Sequence, residues 1–320
     1  MKTLLPFLFL IAFLISCKQD DEEFMQKVNS YDVYVSGKDN GQLCYWKNGI
    51  KHDITNVPTD SNPSKIYISG NDVYIKGRYG FWKNGNYTTY YQAANLTTQD
   101  RIDIFDFYVK GGNIYFVGIT SSNINPAADK FEFCYWKNGI KFFLFKDTSG
   151  YNDNCTITEF NSDAYVGGEK KINGVLTQGY FKNTTFYPLT TNSENQTNII
   201  SNDNNIYLAG REFYKSLVTG VLTNYTVPIY SPYYTPALDH NDIYINGRNE
   251  FYYKNAVQIP TVNTSKPVIK DLKITDQNIY MVRTDPNNTA FKIYINDVET
   301  QSIQNLNFGS SFNNITVVKN

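Results

Sequence analysis

Cys44-Tyr45-Trp46-Lys47-Asn48-Gly49-Ile50-Lys51 returns without a change as Cys134-Tyr135-Trp136-Lys137-Asn138-Gly139-Ile140-Lys141. Chance does not place an identical octapeptide twice in 320 residues, so the chain is built from repeats. Softened copies stand at Phe81-Trp82-Lys83-Asn84-Gly85, Tyr180-Phe181-Lys182-Asn183 and Tyr252-Tyr253-Lys254-Asn255. Asn-Gly is the preferred two-residue connection of a β-hairpin because both positions tolerate positive φ. Each copy therefore reads as a strand ending in packed aromatics, followed by a reversal.

A second pattern precedes each copy: Asp or Asn, an apolar residue, Tyr, and another apolar residue, usually with Gly two places on. It runs through Asp32–Gly37, Asp72–Gly77, Asn113–Gly118, Asp163–Gly168, Asn205–Gly210 and Asp242–Gly247, and through Asn278–Met281 without the glycine. The tyrosines at 34, 74, 115, 165, 207, 244 and 280 are spaced by 40, 41, 50, 42, 37 and 36 residues. Seven strand-only units of about 42 residues over 24–320 predict an all-β, seven-bladed β-propeller of four-stranded antiparallel blades.

In the second unit, Lys65–Ser69 is expected as the first strand and Val73–Lys76 as the second. Tyr79–Lys83 follows as the third and Asn86–Tyr91 as the fourth. The arrangement of Trp before a turn resembles WD40 and YWTD propellers, although neither dipeptide signature is present. The step from Val257 to Ile274 is 17 residues, and the same step from Val298 lands on Ile315. Ile315–Val318 is thus a first strand without a blade of its own, expected beside Tyr31–Ser36 to close the ring. Phe24–Val28 competes for that slot.

Composition agrees. Aromatics are 16%, with 27 Tyr and 21 Phe, which favour strands, and no 3.6-residue helical periodicity runs for long. The net charge of −1 gives no electrostatic footprint for nucleic acid, so no such partner is expected. Cys44, Cys134 and Cys155 read as buried free thiols, with a Cys134–Cys155 disulfide as the alternative. CxxC spacing and clustered histidines are missing, so neither a metal nor a cofactor is expected.

At the N-terminus, Lys2 precedes an apolar run from Leu4 to Ile15, the plan of a secretory signal and too short for a mature spanning helix. Leu14-Ile15-Ser16-Cys17 resembles the bacterial lipobox, which implies a signal peptide over 1–16 and lipidation of Cys17, with membrane attachment through it. Lys18-Gln19-Asp20-Asp21-Glu22-Glu23 resembles the acidic tether that sends many Bacteroidota lipoproteins to the cell surface. The expected address is the outer membrane, surface-exposed, with residues 24–320 as the propeller. A plain solvated linker is the alternative.

In an up-and-down blade, the first-to-second and third-to-fourth turns share one face, here short and called the plain face. The opposite face collects 55–64, 92–101, 120–130, 146–154, 190–196 and 228–236, and long loops on a rigid scaffold carry function. Tyr230, Tyr233 and Tyr234, stiffened by Pro232, are candidate ligand-binding residues for a glycan or protein partner, with Tyr151 beside them. Residues 147–153 carry oxygens around Gly150 but lack the EF-hand pattern. His52 and His240 read as structural or solvated, and no catalytic motif is found, including the sialidase propeller box. The leading reading is a non-catalytic recognition module. A carbohydrate-active enzyme with channel-mouth carboxylates and a scaffold subunit of an outer-membrane complex are the alternatives.

Overall fold

The computed structural model describes residues 30–55, 58, 63–97, 100–122, 131–147, 155–189, 198–210, 212–225, 236–246, 251–261, 268–305 and 309–320. Seven four-stranded antiparallel sheets stand in a ring. Blade 2 holds β4 (Ile66–Ser69), β5 (Asp72–Lys76), β6 (Gly80–Lys83) and β7 (Asn86–Thr89). Blade 3 holds β8 (Asp100–Lys110), β9 (Asn113–Ser122), β10 (Phe131–Lys137) and β11 (Ile140–Asp147). Blade 4 holds β12 (Thr156–Phe160), β13 (Asp163–Ile172), β14 (Val175–Lys182) and β15 (Thr185–Pro188). Blade 5 holds β16 (Asn198–Ser201), β17 (Ile206–Ala209), β18 (Phe213–Ser216) and β19 (Leu222–Asn224). Blade 6 holds β20 (Pro236–Asp239), β21 (Asp242–Asn246), β22 (Phe251–Lys254) and β23 (Val257–Pro260). Blade 7 holds β24 (Val268–Thr275), β25 (Asn278–Thr284), β26 (Ala290–Ile295) and β27 (Val298–Gln304).

Blade 1 joins the two ends of the chain. Its outer strands are β1 (Tyr31–Asp39), β2 (Gln42–Lys47) and β3 (Ile50–Asp53), and its inner strand is β28 (Ser311–Lys319), antiparallel to β1. The register sets Val35 opposite Ile315 and Asp32 opposite Val318, so the C-terminal segment closes the ring as the spacing requires. Phe24–Val28, the other contender, lies outside the described residues.

The two sequence motifs lock onto each other. In blade 2 the Asn84 carboxamide accepts Val73 N–H at 2.8 Å and donates to Asp72 at 2.6 Å. The same clamp joins Asn48 to Val33 and Asp32, and Asn138 to Ile114 and Asn113. It recurs from Asn183 to Ala164 and Asp163, Asn255 to Ile243 and Asp242, and Asn296 to Ile279 and Asn278. Each of these asparagines sits at φ between 47° and 52°, left-handed backbone that Asn tolerates better than other side chains. The preceding lysine adds an ion pair in blades 1, 2, 4 and 6, at 2.6–2.9 Å. In blade 3 Lys137 faces Asn113, and in blade 7 Ile295 stands where the lysine would be, yet the clamp persists. Asparagine is the constant part. Exposed ion pairs are worth little, whereas the carboxamide satisfies a backbone N–H at a strand's start. Blade 5 has Leu217 at that position and no clamp.

The aromatic pair splits between seams. Trp46 packs toward blade 7 against Phe312, Trp82 toward blade 1, and Trp136 toward blade 2 against Phe116. Tyr45 and Tyr135 face the following blade. Cys134 lies in the blade 2–3 seam and Cys155 in the blade 3–4 seam. The body of blade 3 separates them, so both are free buried thiols, as is Cys44. The disulfide alternative is excluded. Burial pushes the Cys44 and Cys134 thiols up to about 12.

One local element departs from the strand pattern. The fourth strand of blade 2 ends at Thr89, where a capping box between Thr89 and Gln92 opens the one-turn helix α1 (Tyr90–Ala93) inside the segment read as strand and loop. Tyr90 and Ala94 pack against Trp136, covering the blade 2–3 seam. In the blade 7–1 seam, the identical octapeptide leaves a cleft of about 280 Å³ lined by Tyr31, Val35, Trp46 and Ile293.

Replacing Asn138 by Ala is expected to cost about 1–2 kcal/mol in urea unfolding, from two lost hydrogen bonds and a left-handed backbone. Asn138→Gly should recover part of this, because glycine removes the backbone strain. Equal losses in the two variants would count against the backbone share.

Candidate functional site

The channel wall is built from one register position per blade. The innermost strands β28, β4, β8, β12, β16, β20 and β24 neighbour one another around the axis. On or directly before each, one residue precedes an apolar core position: Asn314, Lys65, Asp106, Thr156, Asn198, Pro236 and Asp271. All seven line a cavity of about 180 Å³ in the channel. The first strands run from the long-loop face to the plain face, so this ring lies at the long-loop end.

Three of these positions follow a register shift: Asp106 in β8, Asp271 in β24 and Asn314 in β28. A bulge re-aims the next side chain, here toward the neighbouring blade. Asp106 accepts Ile157 N–H from blade 4 at 3.0 Å and pairs with Lys65 of blade 2 at 2.6 Å. Asp271 accepts Ile315 N–H at 2.8 Å and the Asn314 amide at 2.6 Å. Asn314 accepts Ile66 N–H at 2.9 Å, and Thr156 accepts Ile199 N–H at 2.7 Å. The ring positions thus stitch blades 7-1-2-3-4-5 together, leaving both channel carboxylates committed to neighbouring blades.

At the plain end a second belt joins the first-to-second turns. Ser69 accepts Gly112 N–H at 2.7 Å, Ser201 donates to Glu159 O at 2.8 Å, and Asn205 donates to Asn241 at 2.8 Å. Asp239 accepts Asp276 and Gln277 N–H at 3.1 and 2.8 Å and faces His240 Nδ1 at 3.0 Å. Asp276 in turn takes the Tyr31 hydroxyl and Lys319 Nζ, the latter at 3.1 Å. A carboxylate oxygen from each of Asp239 and Asp276 and an imidazole nitrogen of His240 lie within 4.8 Å of one another. Their acceptors are occupied by protein donors, which makes the trio a staple of blades 6, 7 and 1. His52, the other histidine, stacks on Tyr45 at 4.8 Å.

The channel is electrically lopsided. Blades 7, 2 and 3 supply Lys273, Lys65, Asp106 and Asp271 to the cavity, with Lys76 close enough to feel Lys65 and Asp106, whereas blades 4 to 6 supply Thr156, Thr158, Asn198, Ser201 and Pro236. Lys76 lies beside Lys65, with Lys76 N–H bonded to Lys65 O at 2.8 Å. Burial lowers the Lys76 ammonium to about 8, with Asp106 opposing and Lys65 assisting the shift. Burial lowers Lys273 likewise, opposed by Asp271. Tyr67, whose ring meets Tyr108 edge-on at 5.6 Å, is pushed well above the usual phenol range by burial and then by Asp106.

Cys17, Tyr151, Tyr230, Tyr233 and Tyr234 lie outside the described residues, as does most of each long loop except 92–101. A described part of that face is the β13–β14 hairpin, turned by Asn173-Gly174 and carrying Ile172, Val175 and Leu176 at 37%, 66% and 59% exposure. The channel lysines and aspartates went unread in the sequence. A partial signal exists: Lys65, Asp106, Asp271 and Asn314 each stand directly before an apolar-x-apolar triplet, but the corresponding segments of blades 4, 5 and 6 do not.

Comparison of the sequence with protein-family models and with curated proteins finds no match. Solved structures share the architecture. The chain is similar to the structure titled "Structure of apo AztD from Citrobacter koseri", with a TM-score of 0.50 at 10% identity, over 90% of this chain and 97% of that one. It also matches a chain from a study of two prolyl endopeptidases, with a TM-score of 0.46 at 10% identity, over 86% of this chain and 43% of that one. The first likeness shows the fold, a seven-bladed β-propeller.

Because the folded Lys76 pKa is depressed, the unfolded chain binds more protons between about pH 8 and its ordinary value near 10.4, and stability rises through that window. Lys76→Met should therefore melt higher than the parent at pH 7, with the gap closing above about pH 10. A gap independent of pH in calorimetric melts would contradict the buried charge.

Proposed function

We propose that the protein is a lipid-anchored recognition module of the cell envelope that binds its partner at the long-loop mouth of the channel. The observation that carries this reading is the asymmetry between the two ends. Charged and polar side chains converge in a cavity at the long-loop end, whereas the plain end is closed by belted turns. Tyr31 begins β1 at the plain end, bonded to Asp276 in a plain-face turn. A lipidated Cys17 lies 13 residues before Ser30, a reach of about 45 Å when extended. Such an anchor holds the plain face toward the membrane and leaves the open mouth pointing away. Among the described residues no helix is long and apolar enough to cross a membrane.

A non-catalytic role is favoured over the hydrolase reading by the engagement of Asp106 and Asp271. Each carboxylate already accepts a backbone N–H of the next blade, whereas a glycosidase pair must be free to move protons. The scaffold reading draws on the exposed hairpin tip at Ile172, Val175 and Leu176, but Ile50, Ile140, Val257 and Val298 lie singly on separate blades.

The anchor is tested by labelled-palmitate incorporation in a Gram-negative host: the parent is expected to label and to sediment with membranes, and Cys17→Ser to lose both. Persistent labelling of the variant would contradict Cys17 as the acylated residue. Recognition is tested by glycan array and pull-down with the full-length chain, where stable, saturable capture is expected. Polysaccharide turnover without capture would favour the enzyme.

A further inference from the structure

The repeat supplies its own control. The channel position of Lys273 is filled in the other six blades by Thr316, Tyr67, Tyr108, Thr158, Ile200 and Leu238. The position of Lys76, at the end of a second strand, is filled by Ser36, Val117, Gly167, Ala209, Asn246 and Val282. All twelve counterparts are neutral, so the blade fold does not call for a cation at either place. Among the described residues, no carboxylate lies within ion-pair distance of the Lys76 or Lys273 ammonium. Two buried ammonium groups without an ion-pair contact cost desolvation and repulsion with Lys65, which the fields of Asp106 and Asp271 offset only in part. A fold that carries such a cost at two places it does not need has a ligand to offset it.

Across the cavity the wall changes character. Thr156, Thr158, Asn198 and Ser201 present hydroxyls and an amide, with Thr158 and Ser201 2.6 Å apart. The Tyr67 and Tyr108 rings stand between the two sectors and offer apolar faces. At about 180 Å³ the cavity falls below the roughly 300 Å³ at which drug-sized pockets begin, so the ligand is small.

We propose that the channel binds a carboxylate-bearing polyol, a uronic acid or the acidic sugar at the end of a glycan, with Lys76 and Lys273 facing the carboxylate and Thr156, Asn198 and Ser201 facing the hydroxyls. This inference rests on the long-loop mouth being the recognition end, and it names the ligand class taken there. Asp106 and Asp271 do not repel the ligand strongly, because Lys65 neutralises the first and Asn314 with Ile315 N–H solvates the second.

The test is isothermal titration calorimetry of the full-length chain in detergent with glucuronate and galacturonate, using glucose and inorganic phosphate as comparators. At least one uronate should bind at least tenfold more tightly than glucose, and more weakly as salt is raised. Lys76→Met and Lys273→Met should each weaken that binding at least tenfold without lowering the thermal melt at pH 7, since burying either ammonium opposes folding. Thr156→Val is expected to weaken uronate and leave phosphate unaffected. Phosphate binding as tight as uronate would overturn the polyol assignment. Absence of uronate binding, or binding indifferent to both lysine variants, would overturn the whole inference. Capture on the glycan array or in pull-downs could still succeed in that event, through the loops, so the two proposals fail separately.

Discussion

Six of the seven blades turn on a side-chain clamp worth about 1–2 kcal/mol each, and blade 5 makes the same backbone reversal without it. A carboxamide in left-handed backbone reaches across from the third-to-fourth turn and takes the N–H at the start of the second strand, while its amide holds the Asp or Asn before it. That one contact fixes the reversal, the register of the second and third strands, and the direction in which the aromatic pair points. With the pair's direction set, one ring enters each seam. The clamped Asp72, Asp163 and Asp242 carboxylates are held below their usual range, chiefly by the lysine and asparagine that face them. Their contribution is present above the ordinary carboxylate pKa and fades as pH falls through the lowered value.

Blades alone do not make a ring. The seams are apolar and non-directional, so the angular spacing comes from directional bonds at the two ends of the channel. At the long-loop end these are Asp106, Asp271, Asn314 and Thr156 reaching to backbone N–H groups of the next blade. At the plain end they are the turn-to-turn contacts through Ser69, Ser201, Asp239 and Asp276. Bulges in β8, β24 and β28 deliver the longest-reaching members, which explains why irregular strands occur in a repeat that is otherwise regular. The same residues shape the channel, because Asp106 and Asp271 spend hydrogen-bond capacity on the neighbouring blades.

Much of this was legible in the chain. Asn48-Gly49 and Asn138-Gly139 announce hairpins through backbone sterics, and the tyrosine spacing counts seven blades. The step from Val298 to Ile315 reveals a strand that has no blade except the first. The Thr89–Gln92 capping box was also legible as a helix start, although a strand pattern masked it. The channel was harder to read. Lys65, Asp106 and Asp271 occupy the same repeat position with different side chains, and a motif search looks for likeness, not for one position that varies around a ring.

The sequence by itself determined the blade: its strand order, its turns and the number of copies, because the turns and clamps rest on contacts between residues no more than 25 apart. It determined the closure too, since a leftover strand has one place to go. Only the tertiary structure decided where charge meets charge. Lys76 and Lys273 are far apart in the chain and come from different blades, and Lys273 lines the channel with Lys65, the neighbour of Lys76, only when the ring has closed. The burial that shifts them, and the carboxylates that fail to pair with them, exist nowhere before that point.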